Sequence, residues 1–299
     1  MNPLSPNHPK LPPIETLDPG RNLFGSPFFH QTTPDILSHK FVGLKNQGAT
    51  CYMNSVLQFL FHLPIFRRLV FEIDNQNHER NTPDSANIIL NLQILFAEMQ
   101  LQLDKKAIAT DNLTQSFGWK AADSFTQHDV QEFLRVLLDN IENKLKNTEK
   151  ADTIKYIFGG TFRTYIINSN HELQKYIDND FYDVSLELFN QQNNELIPDL
   201  YSSFHHYIAD EKLSGDNQYQ SEENVKQDVF MRTRFMKLPR VLCLQLKRFQ
   251  IDQAQGQSIK LNSFFQFYKT INLSPYVADE VRNDLYQKSH GIDELTNST

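Results

Sequence analysis

Apolar residues recur three or four positions apart, as on one face of an α-helix, in three stretches of the first half of the chain. The three sets are Val56, Leu57, Leu60 and Phe61; Ile88, Leu92, Leu95, Phe96 and Met99; and Val130, Phe133, Leu134, Leu137, Leu138, Ile141 and Leu145. We interpret them as core-facing sides of helices, with Pro64 marking the end of the first. Residues 41–150 are therefore predicted to be mainly helical.

From Ile154 onward the apolar pattern shortens and becomes typical of strands. The predicted strands, which are rich in aromatic and β-branched residues, are Phe162 to Ile167, Tyr182 to Leu188, Phe230 to Leu238 and Val241 to Phe249. Connections rich in Gln and Asn separate them. Helices followed by strands predict an α+β fold.

The N-terminal residues differ in composition from the rest of the chain. Residues 1 to about 39 hold eight of the 13 prolines. Proline removes backbone donors and favours extended conformations, so we predict a disordered or extended leader. Either a plain linker or a short peptide that docks on a partner is compatible with this composition.

Charge and cysteine content narrow the class of protein. The chain has 29 basic and 36 acidic residues, a net charge of −7, which argues against a nucleic-acid-binding protein steered by a basic patch. With Cys51 and Cys243 as its two cysteines, a disulfide framework is not expected, and a reducing compartment such as the cytosol or nucleus is predicted. No apolar run reaches the ~20 residues of a membrane span, and no secretory signal peptide is predicted.

The segment from Gly43 to Ser55 carries the most specific candidate chemistry. Its sequence, Gly-Leu-Lys-Asn-Gln-Gly-Ala-Thr-Cys-Tyr-Met-Asn-Ser, runs from an amide-rich loop into a helix that begins at or near Cys51. The N-terminus of a helix offers free N–H groups and positive potential, which favour a thiolate and can hold an oxyanion. Asn46 could add a side-chain donor. From these residues alone, a reactive cysteine and an inert buried one remain equally compatible.

This 13-residue segment closely resembles the cysteine box of the ubiquitin-specific protease family. The resemblance implies that Cys51 is the nucleophile and that Asn46 is an oxyanion-hole donor. It also implies a papain-like architecture with a helical thumb, β-rich fingers and a palm sheet. The resemblance covers residues 41–275.

A second block, Ser124 to Phe133, resembles the family's second thumb-region box. The resemblance implies that Gln127, Asp129 and Glu132 face the C-terminal tail of ubiquitin, whose arginines suit carboxylates through charge-assisted hydrogen bonds. The alternative is an ordinary helix start, with Ser124 or Thr126 as the N-cap and solvated charges in the first turn.

A third block resembles the fingers of the same family. Its matching residues are Phe204, Tyr207, Leu213, Gly215, Asp216, Asn217 and Tyr219. Many members continue with a zinc-binding Cys-x-x-Cys, but here residues 220–223 read Gln-Ser-Glu-Glu, so a zinc site in the fingers is excluded on ligand count. Cys243 is predicted to be a small buried residue within a strand. The Leu-Lys-Arg-Phe ending at Phe249 is a further feature of the family. The zinc-free fingers, the segments 43–55 and 124–133 and the run from Leu213 to Tyr219 are most similar to the herpesvirus-associated subgroup.

The histidine that the family uses as base is not found at its expected place. In the family it lies in a Gly-Gly-His-Tyr-like block after the Leu-Lys-Arg-Phe strand, followed by Asp or Asn. Of the ten histidines, only His290 lies beyond that strand, and it lacks the flanking glycines and the tyrosine. We therefore expect an incomplete palm sheet, with residues 40–275 forming a partial catalytic domain (thumb 41–150, fingers and part of the palm 154–275) and residues 276–299 a tail.

Two functional hypotheses follow. The first is a thiol-dependent deubiquitinase that cleaves the peptide or isopeptide bond after the C-terminal glycine of ubiquitin, read here over part of its length. The second is a ubiquitin-binding scaffold that keeps the fold without the base. Intact Cys51 and Asn46 favour the first, and the absent histidine block favours the second. Ubiquitin and ubiquitinated proteins are the expected partners in a cytoplasmic or nuclear setting, with no nucleic acid, membrane, metal or cofactor expected.

Overall fold

The structure is a computed structural model that describes residues 41–74, 87–101, 106–118, 129–221, 224–251 and 258–283. From Val42 onward these residues belong to one unit of the chain. Within them, no helix combines the length and the apolar character that crossing a bilayer requires.

The first half of the described chain is helical. The helices are α1 (Cys51–Phe61), α2 (Pro64–Glu72), α3 (Ile88–Leu101), α4 (Asp111–Ser116), α5 (Val130–Leu145), α6 (Thr153–Phe158) and, later in the chain, α7 (Leu200–Tyr207). The predicted apolar stripes lie on α1, α3 and α5, and most of their members are buried. Val130 is an exception because it is the first residue of α5 and lies at the surface.

The helices α1 to α6 enclose one hydrophobic core, which we call the thumb core. Phe66 of α2 makes edge-to-face contacts with Phe96 of α3 and Phe158 of α6. Phe133 of α5 does the same with Tyr52 of α1. Such offset aromatic pairs add to the stabilisation that burial provides, so the helix carrying Cys51 is held on a rigid base.

The second half of the described chain is mainly β-structure. The strands are β1 (Gly160–Asn168), β2 (Leu173–Phe181), β3 (Asp183–Glu187), β4 (Phe189–Asn190), β5 (Glu195–Leu196), β6 (Glu211–Leu213), β7 (Tyr219–Gln220), β8 (Lys226–Gln227), β9 (Val229–Lys237), β10 (Cys243–Lys247), β11 (Phe249–Ile251) and β12 (Ser258–Lys260). The largest sheet has the order β2-β1-β9-β6 and is antiparallel, with Thr164 opposite both Ile177 and Thr233.

The short strands β3 and β10 pair in parallel and connect the sheet region to the thumb. Cys243 lies opposite Asp183, and Lys247 opposite Glu187. On the thumb side, Arg135 of α5 forms a two-point ion pair with Asp183, whose side chain is only 8% exposed. Gln131 of α5 also donates to Asp183. Charge-assisted bonds of this kind fix geometry, so α5 and β3 are held in register.

The last described residues pack on β9 and α7. Tyr276 is buried and stacks on Phe204 at 5.0 Å between ring centroids. Residues 279–283 form a helical turn in which Glu280 accepts hydrogen bonds from Tyr165 at 2.6 Å and Arg163 at 3.2 Å. Burial and this bond raise the pKa of Tyr165 to about 12, so the hydroxyl stays a donor at neutral pH.

The mixed helix and sheet organisation confirms the α+β prediction, but several element predictions were wrong. The helical part extends to Phe158, since Ile154, Ile157 and Phe158 bury one side of α6 in the thumb core. Pro64 does not only stop a helix: α1 ends at Phe61, and Pro64 is the first residue of α2, where its missing N–H is harmless.

Two differences concern strands. β2 was not predicted because its apolar residues do not alternate regularly with polar ones, and nearly all its residues, including Leu173, Tyr176 and Ile177, are exposed. It is a strand through its ladder with β1. The predicted strand Val241 to Phe249 is two strands, β10 and β11, interrupted at Arg248. The Arg248 guanidinium donates to the carbonyls of Leu261 and Ser263 there.

Candidate active site

Cys51 is the first residue of α1, and it is exposed. Thr50 is the N-cap residue but makes no side-chain capping bond. Its hydroxyl instead accepts from the Gln47 N–H at 3.1 Å and donates to Asn46 Oδ1 at 3.2 Å. The N-terminus of α1, which begins with Cys51, therefore has no side-chain cap. Free N–H groups at a helix start can bind an anion.

The loop before Cys51 is closed on itself by Asn46. Asn46 Oδ1 accepts from the N–H of Gly48 at 3.2 Å, from the N–H of Thr50 at 3.3 Å and from the Thr50 hydroxyl. Gly48 has a φ of 128°, a conformation that residues with a Cβ rarely adopt. Because the oxygen of the amide is held by the loop, Nδ2 is the end of the side chain that can serve a ligand.

Gln47 anchors the same loop to α4. Its Nε2 donates to the Thr110 hydroxyl at 2.6 Å and to the Thr114 hydroxyl at 3.3 Å. Thr50, Thr110 and Thr114 are all buried. Neighbouring hydroxyls in a buried setting give the amide a fixed orientation, so the loop is preorganised without a ligand.

An exposed thiol beside a preorganised loop and an uncapped helix N-terminus is suited to acyl transfer. The sulfur can attack a carbonyl carbon, while the backbone N–H groups at the helix start and Asn46 Nδ2 are the available donors for the resulting oxyanion. The structure thus places the two residues predicted from the sequence, Cys51 and Asn46, five residues apart around one loop.

The start of α5 lies near Cys51. Burial raises the pKa of the Tyr52 hydroxyl, and the neighbouring Cys51 and Glu132 raise it further. Tyr52 also contacts Phe133, the residue after Glu132. The predicted site residue Glu132 is therefore in the same neighbourhood as the thiol, exposed in the first turn of α5.

Asp129 is the N-cap of α5. It accepts from the Gln131 N–H through Oδ1 at 2.7 Å and is exposed. The alternative reading of this block expected a cap at Ser124 or Thr126; both residues, and the predicted site residue Gln127, lie outside the described residues. The observed helix start is later, because the apolar stripe begins only at Val130, and the cap belongs to Asp129.

An acidic cleft lies between α5 and the roots of β1, β2 and β3, and sequence reasoning missed it. Its volume is about 390 Å³, and it is lined by Arg135, Asp139, Phe162, Asp180, Phe181, Tyr182 and Asp183. Two of its carboxylates are ion-paired, Asp183 with Arg135 and Asp180 with Lys155. The one sign of this cleft in the sequence is the four-residue spacing of Arg135 and Asp139, which places both on one face of α5.

Cys243 differs from Cys51 in exposure and surroundings. It is partly buried on β10 and packs against the thumb core. Burial, with Asp183 nearby, raises the pKa of its thiol to about 11. A thiol of this kind is not a nucleophile at neutral pH, which agrees with the structural role predicted for it.

Histidines and metal-binding groups were also located within the described ranges. His62 follows the last residue of α1, 11 residues from Cys51 or about 16 Å along the helix. His171 stacks on Phe230, and His205 contacts Tyr276. His290 lies outside the described residues. Among the residues that are described, no three His, Cys, Asp or Glu side chains are grouped as a metal site would need.

Comparison with known proteins places these features in a family. Residues 42–289 match the family model for ubiquitin carboxyl-terminal hydrolases. The chain is 42% identical to ubiquitin carboxyl-terminal hydrolase 7 of Drosophila melanogaster over 80% of this chain and 20% of that protein. It is 42% identical to ubiquitin C-terminal hydrolase 12 of Arabidopsis thaliana over 78% of this chain and 20% of that protein. It is 41% identical to ubiquitin carboxyl-terminal hydrolase 15 of Saccharomyces cerevisiae over 81% of this chain and 19% of that protein. The chain spans about a fifth of the length of these relatives.

Proposed function

The chain belongs to the ubiquitin carboxyl-terminal hydrolase family, and we propose that it carries the nucleophile half of a cysteine deubiquitinase. The substrate is the peptide or isopeptide bond that follows the C-terminal glycine of ubiquitin. The partners are ubiquitin and ubiquitinated proteins. Zinc-free fingers and the Gly43–Ser55 segment support the herpesvirus-associated subgroup, and two cysteines without a disulfide support a cytoplasmic or nuclear location.

In the proposed reaction the Cys51 sulfur attacks the carbonyl carbon of the terminal glycine. The negative charge that develops on the carbonyl oxygen is stabilised by Asn46 Nδ2 and the N–H groups at the start of α1. The carbon–nitrogen bond then breaks, and the amine, from a lysine side chain or a peptide N-terminus, leaves with the proton that the Cys51 thiol gave up. Water hydrolyses the resulting thioester, which frees ubiquitin and restores the thiol.

The observation that carries this proposal is the position of Cys51 as the exposed first residue of α1. Thr50 leaves the helix uncapped because its hydroxyl closes the loop with Asn46 instead. A purely structural cysteine would not need this arrangement, and Cys243 illustrates the contrast.

None of the described contacts places a histidine beside Cys51 as a base. His62 is at the opposite end of α1 from Cys51, and His171 and His205 contact Phe230 and Tyr276. His206, the fourth described histidine, lies beside His205 in the last turn of α7. This favours, as the second candidate function, a ubiquitin-binding module in which the thiol is not turned over. The resemblance places the family's base after Phe249, and we propose that segment as its source in an active protein.

Hydrolysis of a fluorogenic ubiquitin C-terminal substrate by the 299-residue chain distinguishes these functions. Release that depends on Cys51 would establish the deubiquitinase activity and make His290 the first histidine to replace. Tight binding of ubiquitin without release would favour the binding module. A folded chain that neither binds ubiquitin nor releases the fluorophore would contradict both.

We propose that Gln127, Asp129 and Glu132 contact the basic tail of ubiquitin. Support comes from the exposure of both carboxylates at the start of α5 and from the shared neighbourhood of Glu132 and Cys51 around Tyr52. Asp129 uses Oδ1 for its cap, which leaves Oδ2 to accept from a guanidinium.

Asp129→Ala is expected to weaken ubiquitin binding by about 1.5–3 kcal/mol, the value of a hydrogen bond to a charged group. The measurement is the Kd for ubiquitin by isothermal titration. Because asparagine caps helices as well as aspartate, Asp129→Asn is the matched control: it keeps the cap and removes the charge. If Asp129→Asn binds like the unmodified chain, the carboxylate serves only as a helix cap.

A further inference from the structure

Two side-chain amides on α1 face the same way as Cys51. Asn54 and Gln58 follow the nucleophile by three and seven residues, so all three lie on one face of the helix. Asn54 Nδ2 donates to the carbonyl of Lys45 at 3.0 Å, and Gln58 Nε2 donates to the carbonyl of Val42 at 2.6 Å. Both bonds reach the segment before the Cys51 loop, residues 42–46, which we call the arm.

The other edge of the arm is bound by the segment before α4. The Lys45 N–H donates to the carbonyl of Ile108 at 2.8 Å, and the Ile108 N–H donates to the carbonyl of Gly43 at 2.9 Å. The arm is therefore held between Ile108 on one side and the two amides of α1 on the other. Asn46, the proposed oxyanion donor, is the last residue of this arm.

Among the residues that the structure describes, Asn54 leaves one of its polar atoms without a partner, which a purely structural hydrogen bond to Lys45 would not require. Its Oδ1 is buried and, within the described residues, has no hydrogen-bond partner. An orphaned buried acceptor is unfavourable for folding and calls for an explanation. Exchanging the two ends of the amide would bring Oδ1 against the Lys45 carbonyl, two acceptors face to face, so the orientation is set by the arm.

We propose that Asn54 is a positioning residue for the reaction at Cys51. This inference rests on the function proposed above. Asn54 binds the carbonyl of Lys45, the residue before Asn46, and thereby fixes the position of the Asn46 amide relative to Cys51. Gln58 supports the same arm one turn further along α1. Displacements of about 1 Å at a reacting centre reduce rates up to about 100-fold, so loss of this tie acts on catalysis rather than on ubiquitin binding.

The test uses the 299-residue chain and its Asn54→Ala variant. Gln93→Ala is the matched control, since Gln93 Nε2 also donates to backbone carbonyls, those of Val70 and Ile73, but between α2 and α3. Hydrogen exchange at the amides of Lys45 and Thr50 reports on the arm and its loop. We expect exchange there to be about tenfold faster in Asn54→Ala and unchanged in Gln93→Ala.

The consequence for chemistry is measured with ubiquitin carrying a C-terminal electrophile. Asn54→Ala is expected to react at Cys51 about tenfold more slowly, and to cause no further loss in an Asn46→Ala background, because both act through one amide. Additive losses, or unchanged exchange at Lys45 and Thr50, would overturn the inference. If Cys51 of the unmodified chain does not react at all, the proposed function fails instead, and the exchange measurement alone decides the role of Asn54.

Discussion

Cys51→Ala is expected to reduce hydrolysis of ubiquitin C-terminal substrates by at least about 10⁴-fold while leaving ubiquitin binding intact. Cys51 is the exposed residue that opens α1, and its side chain makes no packing contribution to the thumb core. Removing one sulfur therefore deletes the attacking atom without creating a cavity. The measurements are kcat/KM with a fluorogenic substrate and the Kd for ubiquitin.

The matched control is the second cysteine. Cys243→Ser removes a thiol that is partly buried on β10 and has a pKa of about 11. It should leave the reaction rate unchanged and cost some stability, because a hydroxyl replaces a small apolar group next to the core. Turnover that survives Cys51→Ala, or that is lost in Cys243→Ser at full folding, would show that the nucleophile is misassigned.

Asn46→Ala is expected to lower kcat by about 10²–10³-fold, the usual effect of removing one oxyanion-hole donor. KM should change little, because the interaction with the amide forms as the carbonyl oxygen becomes charged. The measurement is the separation of kcat and KM with the fluorogenic substrate, in the form of the protein that turns it over.

Asn46 has a second task that the control must separate. Its Oδ1 holds the N–H groups of Gly48 and Thr50 and the Thr50 hydroxyl. Asn46→Asp keeps an acceptor of the same shape for those three donors but has no Nδ2. If the loss in Asn46→Ala arises from a disordered loop, Asn46→Asp should recover activity. If Nδ2 stabilises the oxyanion, Asn46→Asp should be at least as impaired as Asn46→Ala.

The loop and helix start around Cys51 could be predicted from the sequence because they are encoded in consecutive residues. The loop and helix start around Cys51 depend on Gly48, Thr50 and the apolar stripe that follows, all within one segment. The same holds for α3 and α5, whose periodic apolar residues predict both the helix and its buried side. Family membership followed from such consecutive blocks, and the match over residues 42–289 confirms it.

Prediction was less successful where an element depends on a distant neighbour. β2 is almost entirely exposed and has no regular apolar alternation, and only its pairing with β1 makes it a strand. α6 is short enough that its three apolar residues could equally be read as the start of a strand. The cap of α5 falls on Asp129 because the helix begins later than the polar residues before it suggested.

The sequence by itself therefore determined the family, the α+β fold class, and the loop with Asn46 that leads into the helix starting at Cys51. Only the tertiary structure decided that Asp183 is buried against Arg135, that an acidic cleft opens beside α5, and that Asn54 holds the arm before the nucleophile. The physical reason is the range of the interactions. Helix starts and apolar stripes arise between residues a few positions apart, whereas ion pairs across elements and ties to a distant carbonyl exist only after the chain has folded.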